Sequence, residues 1–288
     1  MLYVLGFIFV ILGPFLGGLL SGVDRVFSAR MQRRQGPPLL QPFADYAKFM
    51  QKKAYIINGL QTFLITGHLI FVILAGWILY AGQDILLSIF SLTLSEMFLC
   101  MAAFSASAPY SNMSAQRELL QMACTEPMLL MIAIGFYLSS GSFMVTDIVA
   151  QKTPAIIHVP GFFLGFLVIL VVELRKSPFD VSTSHHAHQE MVKGVTTDIT
   201  GSLMGIVELS EWYEYFLMFS YVALYFVSSN PLSLLVGILM GCLVMFLMTL
   251  IDNTFPRVRW ERMLSVCWAT TLIFAGGNLL LLTLLKMF

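Results

Sequence analysis

Charge is scarce in this chain. Only 11% of its 288 residues are Asp, Glu, Lys or Arg, against about a quarter in a soluble globular domain, while 58% are hydrophobic. With a mean hydropathy of +0.83, the composition excludes an ordinary water-soluble enzyme and implies a polytopic membrane protein. Closely spaced cysteines are missing as well. Cys100, Cys124, Cys242 and Cys267 stand alone, with no C-x-x-C pair, so no iron–sulfur or other metal ligand set is expected and the thiols read as buried small hydrophobes. The opening "MLYVLGFIFVILGPFLGG" has neither a basic leader nor a small-residue cleavage site, which predicts a retained helix and not a signal peptide. There is no low-complexity segment, and no repeat of one half in the other, which disfavours an inverted-repeat transporter. Nucleophile, phosphate loop and metal cage are all lacking, so no catalytic residue is expected.

What is present is a series of long apolar runs. A membrane helix needs about 20 mostly apolar residues, and eight segments meet or approach that: 2–20, 57–80, 85–106, 128–145, 156–174, 212–229, 232–251 and 263–285. These predict an all-α bundle of eight spans forming a single integral membrane domain, residues 1–288. The cations are unevenly shared between the two sets of alternate loops. Fourteen of the 16 Lys and Arg fall in one set, leaving Lys152 and Lys286 in the other. By the positive-inside rule the basic set is cytoplasmic and both termini lie outside. The two long connections, 21–56 and 175–211, are then both cytoplasmic, and the expected location is the cell inner (plasma) membrane. Net charge is zero, and no nucleic-acid partner is expected.

Acidic residues occur where they are costly. Glu96 falls near the middle of the third expected span, where an ionised carboxylate costs at least about 2.5 kcal/mol. It is either part of a proton relay or a neutral acid bonded to a neighbouring helix; His68, in the second span, carries the same two readings. Towards the cytoplasmic side stand Glu126 before Pro127, Glu173 at the end of span five, and Glu208, Glu211 and Glu214 entering span six. The last three, spaced i, i+3, i+6, cover an arc of about 120° and would titrate as a group. They form either an acidic funnel or ordinary headgroup-level charges. After Glu173 comes "LRKSPFDVSTSHHAHQEMVKG". Pro178 disfavours helix at Ser177, and Asp180 with the following Ser and Thr offers capping oxygens. A helix there would put His185 and His188 on one face, with His186 beside them. This cluster suits a protein contact or proton exchange; a two-His metal site lacks a third ligand.

Four basic-side segments, in order, carry a family resemblance. "RMQRRQGP" and "LLQPFADYAKFMQKK" resemble R-x-Q-x-R-x-GP and LLQP-x-AD-x-x-K; "SNMSAQRELLQMACTEP" aligns Arg117, Gln121 and Glu126 with the family's Arg, Gln and Glu. "ELRKSPFD" and "EMVKGVTTDITG" resemble E-x-x-R-x-PFD and ELVAG-x-x-x-E-x-x-G, and "TFPRVRWERMLSVCW" resembles the family's T-x-PR-x-R element. The chain is similar to the membrane subunit shared by respiratory complex I (its subunit 1) and energy-converting, Ech-type group 4 nickel–iron hydrogenases, which joins a soluble redox arm to a membrane arm. It departs from the complex I pattern in having "GPP" for GPN-x-x-GP, "VSTSHHAHQE" for the acidic PEAE region, and Lys176 for Arg; the last change keeps charge but loses bidentate geometry.

The resemblance implies the membrane anchor of a ferredoxin-linked nickel–iron hydrogenase, a non-catalytic subunit. Its expected partners are the hydrogenase large and small subunits, a ferredoxin-like iron–sulfur subunit, an antiporter-like membrane subunit and the lipid bilayer. No cofactor is expected in this chain; the nickel–iron centre and iron–sulfur clusters would belong to the partners. The implied proton relay is Glu96, Glu126, Glu173, Asp180, Glu208, Glu211 and Glu214. The implied docking residues are Arg25, Arg30, Arg33, Arg34, Arg117, Arg175, His185, His186, His188, Arg257 and Arg259. A quinone-site subunit of a complex I-like dehydrogenase and a stand-alone ion transporter are the alternatives.

Overall fold

A computed structural model describes residues 2–55, 58–179 and 194–287; Asp180 and the His185, His186 and His188 cluster lie outside the described residues. Among these residues the chain is helical apart from connectors and one isolated β-bridge. The long helices are α1 (Leu2–Met31), α3 (Gly59–Tyr80), α4 (Ile85–Ser105), α5 (Pro109–Ser140), α8 (Ser202–Leu224) and α9 (Pro231–Thr254); α2 (Gln41–Gln51) is short and amphipathic, α6 (Val145–Val149) shorter still, and α7 (Pro160–Glu173) a compact apolar helix. The last span is α10 (Trp260–Thr270), a π-helical stretch at Thr271–Gly276 and α11 (Gly277–Met287). The expected polytopic helical bundle is therefore present.

Six helices are long and apolar enough to cross a membrane. The other two expected spans correspond to α7, of 14 residues, and α8, of 23 residues, whose three glutamates dilute its hydropathy. Limits differ at two places, for a physical reason. α1 extends past the expected end at 20 to Met31, a length of about 45 Å at 1.5 Å per residue, and so projects its basic end beyond a hydrocarbon core of about 30 Å. The stretch before Pro127, expected to be a connection, is the first half of α5, and Pro127 lies inside that helix. A proline removes one backbone donor, a loss that neighbouring helices in a membrane bundle tolerate.

Small residues allow the close approaches that build the bundle. Gly13 and Gly17 of α1, spaced i, i+4, face Tyr213 and Trp212 of α8, and a methyl group on Gly17 would sit 2.0 Å from the Trp212 carbonyl oxygen. That is the small-x-x-x-small device, which replaces the weak hydrophobic drive between helices in lipid with backbone proximity. On the side opposite the basic ends, the α3–α4 connector is laced to the α5–α6 connector: Ile85 N–H donates to Phe143 O and Val145 N–H to Gln83 O, both at 3.0 Å. The core lies between α3, α4, α5, α7 and α8, and includes Ile65, Leu92, Met128, Phe136, Phe162, Phe166 and Leu217. It holds a band of polar groups at one end.

Candidate functional site: a buried carboxyl cluster at the end of α7

α7 ends on a Schellman motif. The N–H of Lys176 bonds to Val171 O at 3.0 Å and that of Arg175 to Val172 O at 2.9 Å, with Arg175 in the left-handed region at φ +49°, a place more often held by glycine. The tight reversal sends three neighbouring side chains in three directions. Glu173 stays inside the bundle, Arg175 turns to α5 and α8, and Lys176 reaches α1 and α9.

Inside, Glu173 meets Glu96 of α4 and Glu214 of α8. All three are buried, and one carboxylate oxygen from each lies within 4.8 Å of the others. Carboxyl groups this close and shielded from water repel one another when all are ionised. The three acids, with Glu118, Gln121, Met122 and Thr125 of α5 and Arg175, line a cavity with room for about one water. Arg175 closes its basic side, donating to Glu118 Oε1 at 2.8 Å and to Glu211 Oε1 at 3.5 Å. Burial opposes its charge, but the carboxylates of Glu118, then Glu214, Glu211 and Glu96, outweigh it and hold the guanidinium above its ordinary pKa.

Two further ionic groups flank this cluster. Lys176 Nζ contacts Asp24 of α1 and lies 3.9 Å from Asp252 of α9, while Thr249 donates to Asp24 at 2.7 Å. Arg25 pairs with Asp45 of α2 at 3.1 Å and with Glu208 at 3.4 Å. Arg25 lines two clefts of about 330 and 340 Å³ on either side of it, one with Asp45, Phe49, Met204 and Glu208, the other with Ser28, Arg34 and Pro37.

The three α8 glutamates meet different partners: Glu208 faces Arg25, Glu211 faces Arg175, and Glu214 joins the buried cluster beside that same arginine. Glu126 is half-buried and does not line the cavity, because it lies on another face of α5 from Glu118, Gln121 and Thr125. His68 is clasped to Ser95, its Nδ1 2.7 Å from the Ser95 hydroxyl, and lies outside the cavity lining. Of the expected docking cations, Arg30, Arg33, Arg34 and Arg259 are exposed, whereas Arg25 and Arg175 are bound within the chain. Arg117 packs over the Trp260 ring, 4.4 Å from its centroid, and Arg257 is half-buried. Glu118, Thr125, Asp24, Asp45 and Asp252 were not singled out from sequence. The signal for Glu118 was its helical register with Gln121 and Thr125 (i, i+3, i+7), legible only once 109–127 is taken as helix.

A profile of the NADH dehydrogenase family matches residues 3–283. The chain belongs to the NADH dehydrogenase subunit 1 family. Among its curated relatives, an NADH-quinone oxidoreductase subunit from Rhodospirillum rubrum is 28% identical over 93% of this chain and 88% of its own length. NADH-ubiquinone oxidoreductase chain 1 of Mycosarcoma maydis is 27% identical over 97% and 95%. Among solved structures, a chain of the membrane-bound sulfane sulfur reductase, an archaeal respiratory membrane complex, superposes with a TM-score of 0.87 at 25% identity, over 98% of this chain and 99% of that one. Family membership makes the protein a membrane subunit of the complex I-like kind. The segments that carried the resemblance fall at the α1 end and α2, on α5, after α7, and from the α9 end into α10.

Proposed function

We propose that this chain anchors a ferredoxin-linked nickel–iron hydrogenase in the cell membrane, docks its soluble arm on the basic face, and passes the effect of electron transfer to ion movement through buried acids. The supporting observation is the Glu96–Glu173–Glu214 cluster, three buried carboxyl groups with oxygens within 4.8 Å of one another beside Arg175. A charge moved in a neighbouring redox centre changes proton occupancy in such a coupled group, since each pKa unit is worth about 1.36 kcal/mol. The nickel–iron centre and iron–sulfur clusters would supply electron transfer from the partner subunits; this chain's residues hold and hand on protons to an antiporter-like neighbour. Arg30, Arg33, Arg34 and Arg259, exposed on one face, provide the docking charge. Glu208 and Glu211 extend the polar route in this proposal, which also assigns Asp180 to the relay and His185, His186 and His188 to docking. Support for a redox partner other than the quinone type comes from "GPP" and "VSTSHHAHQE" standing in place of the complex I elements, and from a structural neighbour that is a sulfane sulfur reductase.

In purified complex, Glu173→Gln should leave hydrogen evolution within about twofold of wild type in detergent while lowering ion pumping in vesicles severalfold; Glu126→Gln, outside the cluster, serves as the control and should pump normally. Unchanged pumping in the Glu173→Gln complex would remove the relay. The names of the curated relatives favour a second reading, a quinone-site subunit, with the clefts beside Arg25 as the place for a headgroup. Quinone-dependent turnover without nickel–iron subunits in the purified complex would select it.

A further inference from the structure

Three atoms on residues that line the one-water cavity are buried and have no hydrogen-bond partner among the described residues: Glu118 Oε2, Gln121 Oε1 and Glu173 Oε1. All three are acceptors. Gln121 is the clearest case, because its amide nitrogen is committed to Val172 O at 2.9 Å, which leaves its carbonyl oxygen unpaired on a cavity-lining residue only 5% exposed. The Thr125 hydroxyl donates to Met122 O at 3.2 Å, so that oxygen too presents lone pairs. The cationic donor at the site, Arg175, is engaged with Glu118 Oε1 and Glu211. An unpaired buried acceptor costs about 1–3 kcal/mol, and several on residues around one small space favour an occupant that presents positive charge to all of them at once.

We infer that the cavity bounded by Glu96, Gln121, Thr125, Glu173 and Glu214 is a sodium site, a dehydrated alkali cation held by the oxygens of these residues. An all-oxygen donor set selects a hard cation. Magnesium retains several waters, for which the space is too small, and Arg175 beside the cavity disfavours a double positive charge. Three carboxyl oxygens already within 4.8 Å of one another, one amide oxygen and one hydroxyl supply up to five ligands. The ionisable groups that line the cavity are Glu96 from α4, Glu118 from α5, Glu173 and Arg175 from the α7 end, and Glu214 from α8; Glu211 meets Arg175 behind it, and His68 of α3 is bonded to Ser95.

The inference rests on the cluster used in the proposed function, but its readout is binding and not pumping, so either can fail alone. Purified whole complex would be titrated with NaCl against choline chloride at constant ionic strength, following thermal stability at pH 6.5 and 8.5, with ²²Na⁺ binding measured directly. Saturable sodium-specific stabilisation at both pH values, with ²²Na⁺ retained, is expected. Glu214→Gln and Gln121→Met should each weaken apparent sodium affinity by about tenfold or more. Equal stability in sodium and choline at both pH values, with no ²²Na⁺ retained by wild type, would show that water or a proton alone fills the cavity and would overturn the inference while leaving the relay standing. Because the wild-type measurement decides it, a variant that fails to fold does not shield it.

Discussion

Arg175 is the residue on which the site's electrostatics turn. It occupies a backbone conformation that disfavours side chains, and it is held there by two carboxylates, one of them almost wholly buried: the side chains of Arg175 and Glu118 are 16% and 6% exposed. Removing one partner of a buried pair leaves an uncompensated charge, at a cost of about 3–5 kcal/mol, whereas replacing both by apolar groups is often close to neutral. Arg175→Leu should thus lower the thermal midpoint of the complex markedly, and Arg175→Leu combined with Glu118→Leu should recover most of it; a double variant no more stable than the single would show that the pair is not the cause. Since the guanidinium pKa is shifted upward, its contribution is fully present below the ordinary arginine value. It is lost only in strong alkali, so this pair adds no pH dependence near neutrality.

Two elements illustrate different means of attachment. α1 is fixed to α8 by missing side chains. Gly17→Ala forces a methyl against the Trp212 carbonyl, an overpacking worth about 1–3 kcal/mol, whereas a Cβ on Gly59 meets nothing within 4 Å, so Gly59→Ala should be neutral by comparison in the same thermal assay. α2 is fixed to α1 by charge. At Asp45 the partial burial that would raise the pKa is outweighed by hydrogen bonds from Gln41, Arg25 and Lys48, and the carboxyl sits below its ordinary value of 3.8. A depressed acid stabilises the fold above its unfolded pKa and loses that contribution as pH falls through the folded one. Hydrogen exchange in residues 41–51 should be level from pH 8 to about 5, after correction for intrinsic rates, and rise below about pH 4. Asp45→Asn should already be less protected at neutral pH. Identical protection in the two proteins would mean that packing on α8, not Asp45, retains α2.

At the scale of the whole molecule the distribution of cations becomes a statement about orientation. Arg30, Arg33, Arg34, Lys52 and Lys53 are exposed near the α1 and α2 ends, and Arg259 and Arg262 at the start of α10. If this face is cytoplasmic, as the positive-inside rule proposes, Arg34→Cys in a cysteine-free background should react with an impermeant maleimide in inverted vesicles and stay unreactive in intact cells. The opposite pattern would invert the topology and detach the docking proposal from the soluble arm's compartment. The bundle is also asymmetric in its burial: α9 and the α10–α11 span show exposed Leu, Ile and Phe over much of their length, as at Leu235, Leu239, Leu272 and Ile273, the surface expected against lipid or another membrane subunit.

The sequence by itself determined the class of the protein and much of its layout. Runs such as 57–80, 85–106 and 232–251 translate almost residue for residue into α3, α4 and α9, because a helix that must satisfy its own backbone in lipid depends on the hydrophobicity of one continuous stretch. Glu96, Glu173 and Glu214 could be named for the same reason, as charges out of place in such stretches. What only the tertiary structure decided is who meets whom. Arg175 and Glu118 are 57 residues apart, Thr249 and Asp24 are 225 apart, and the first half of α5 was too polar to announce itself as helix. Pairing across the bundle depends on helix rotation and close approach at positions such as Gly17, and these arise from packing between segments. No single stretch of sequence contains that information.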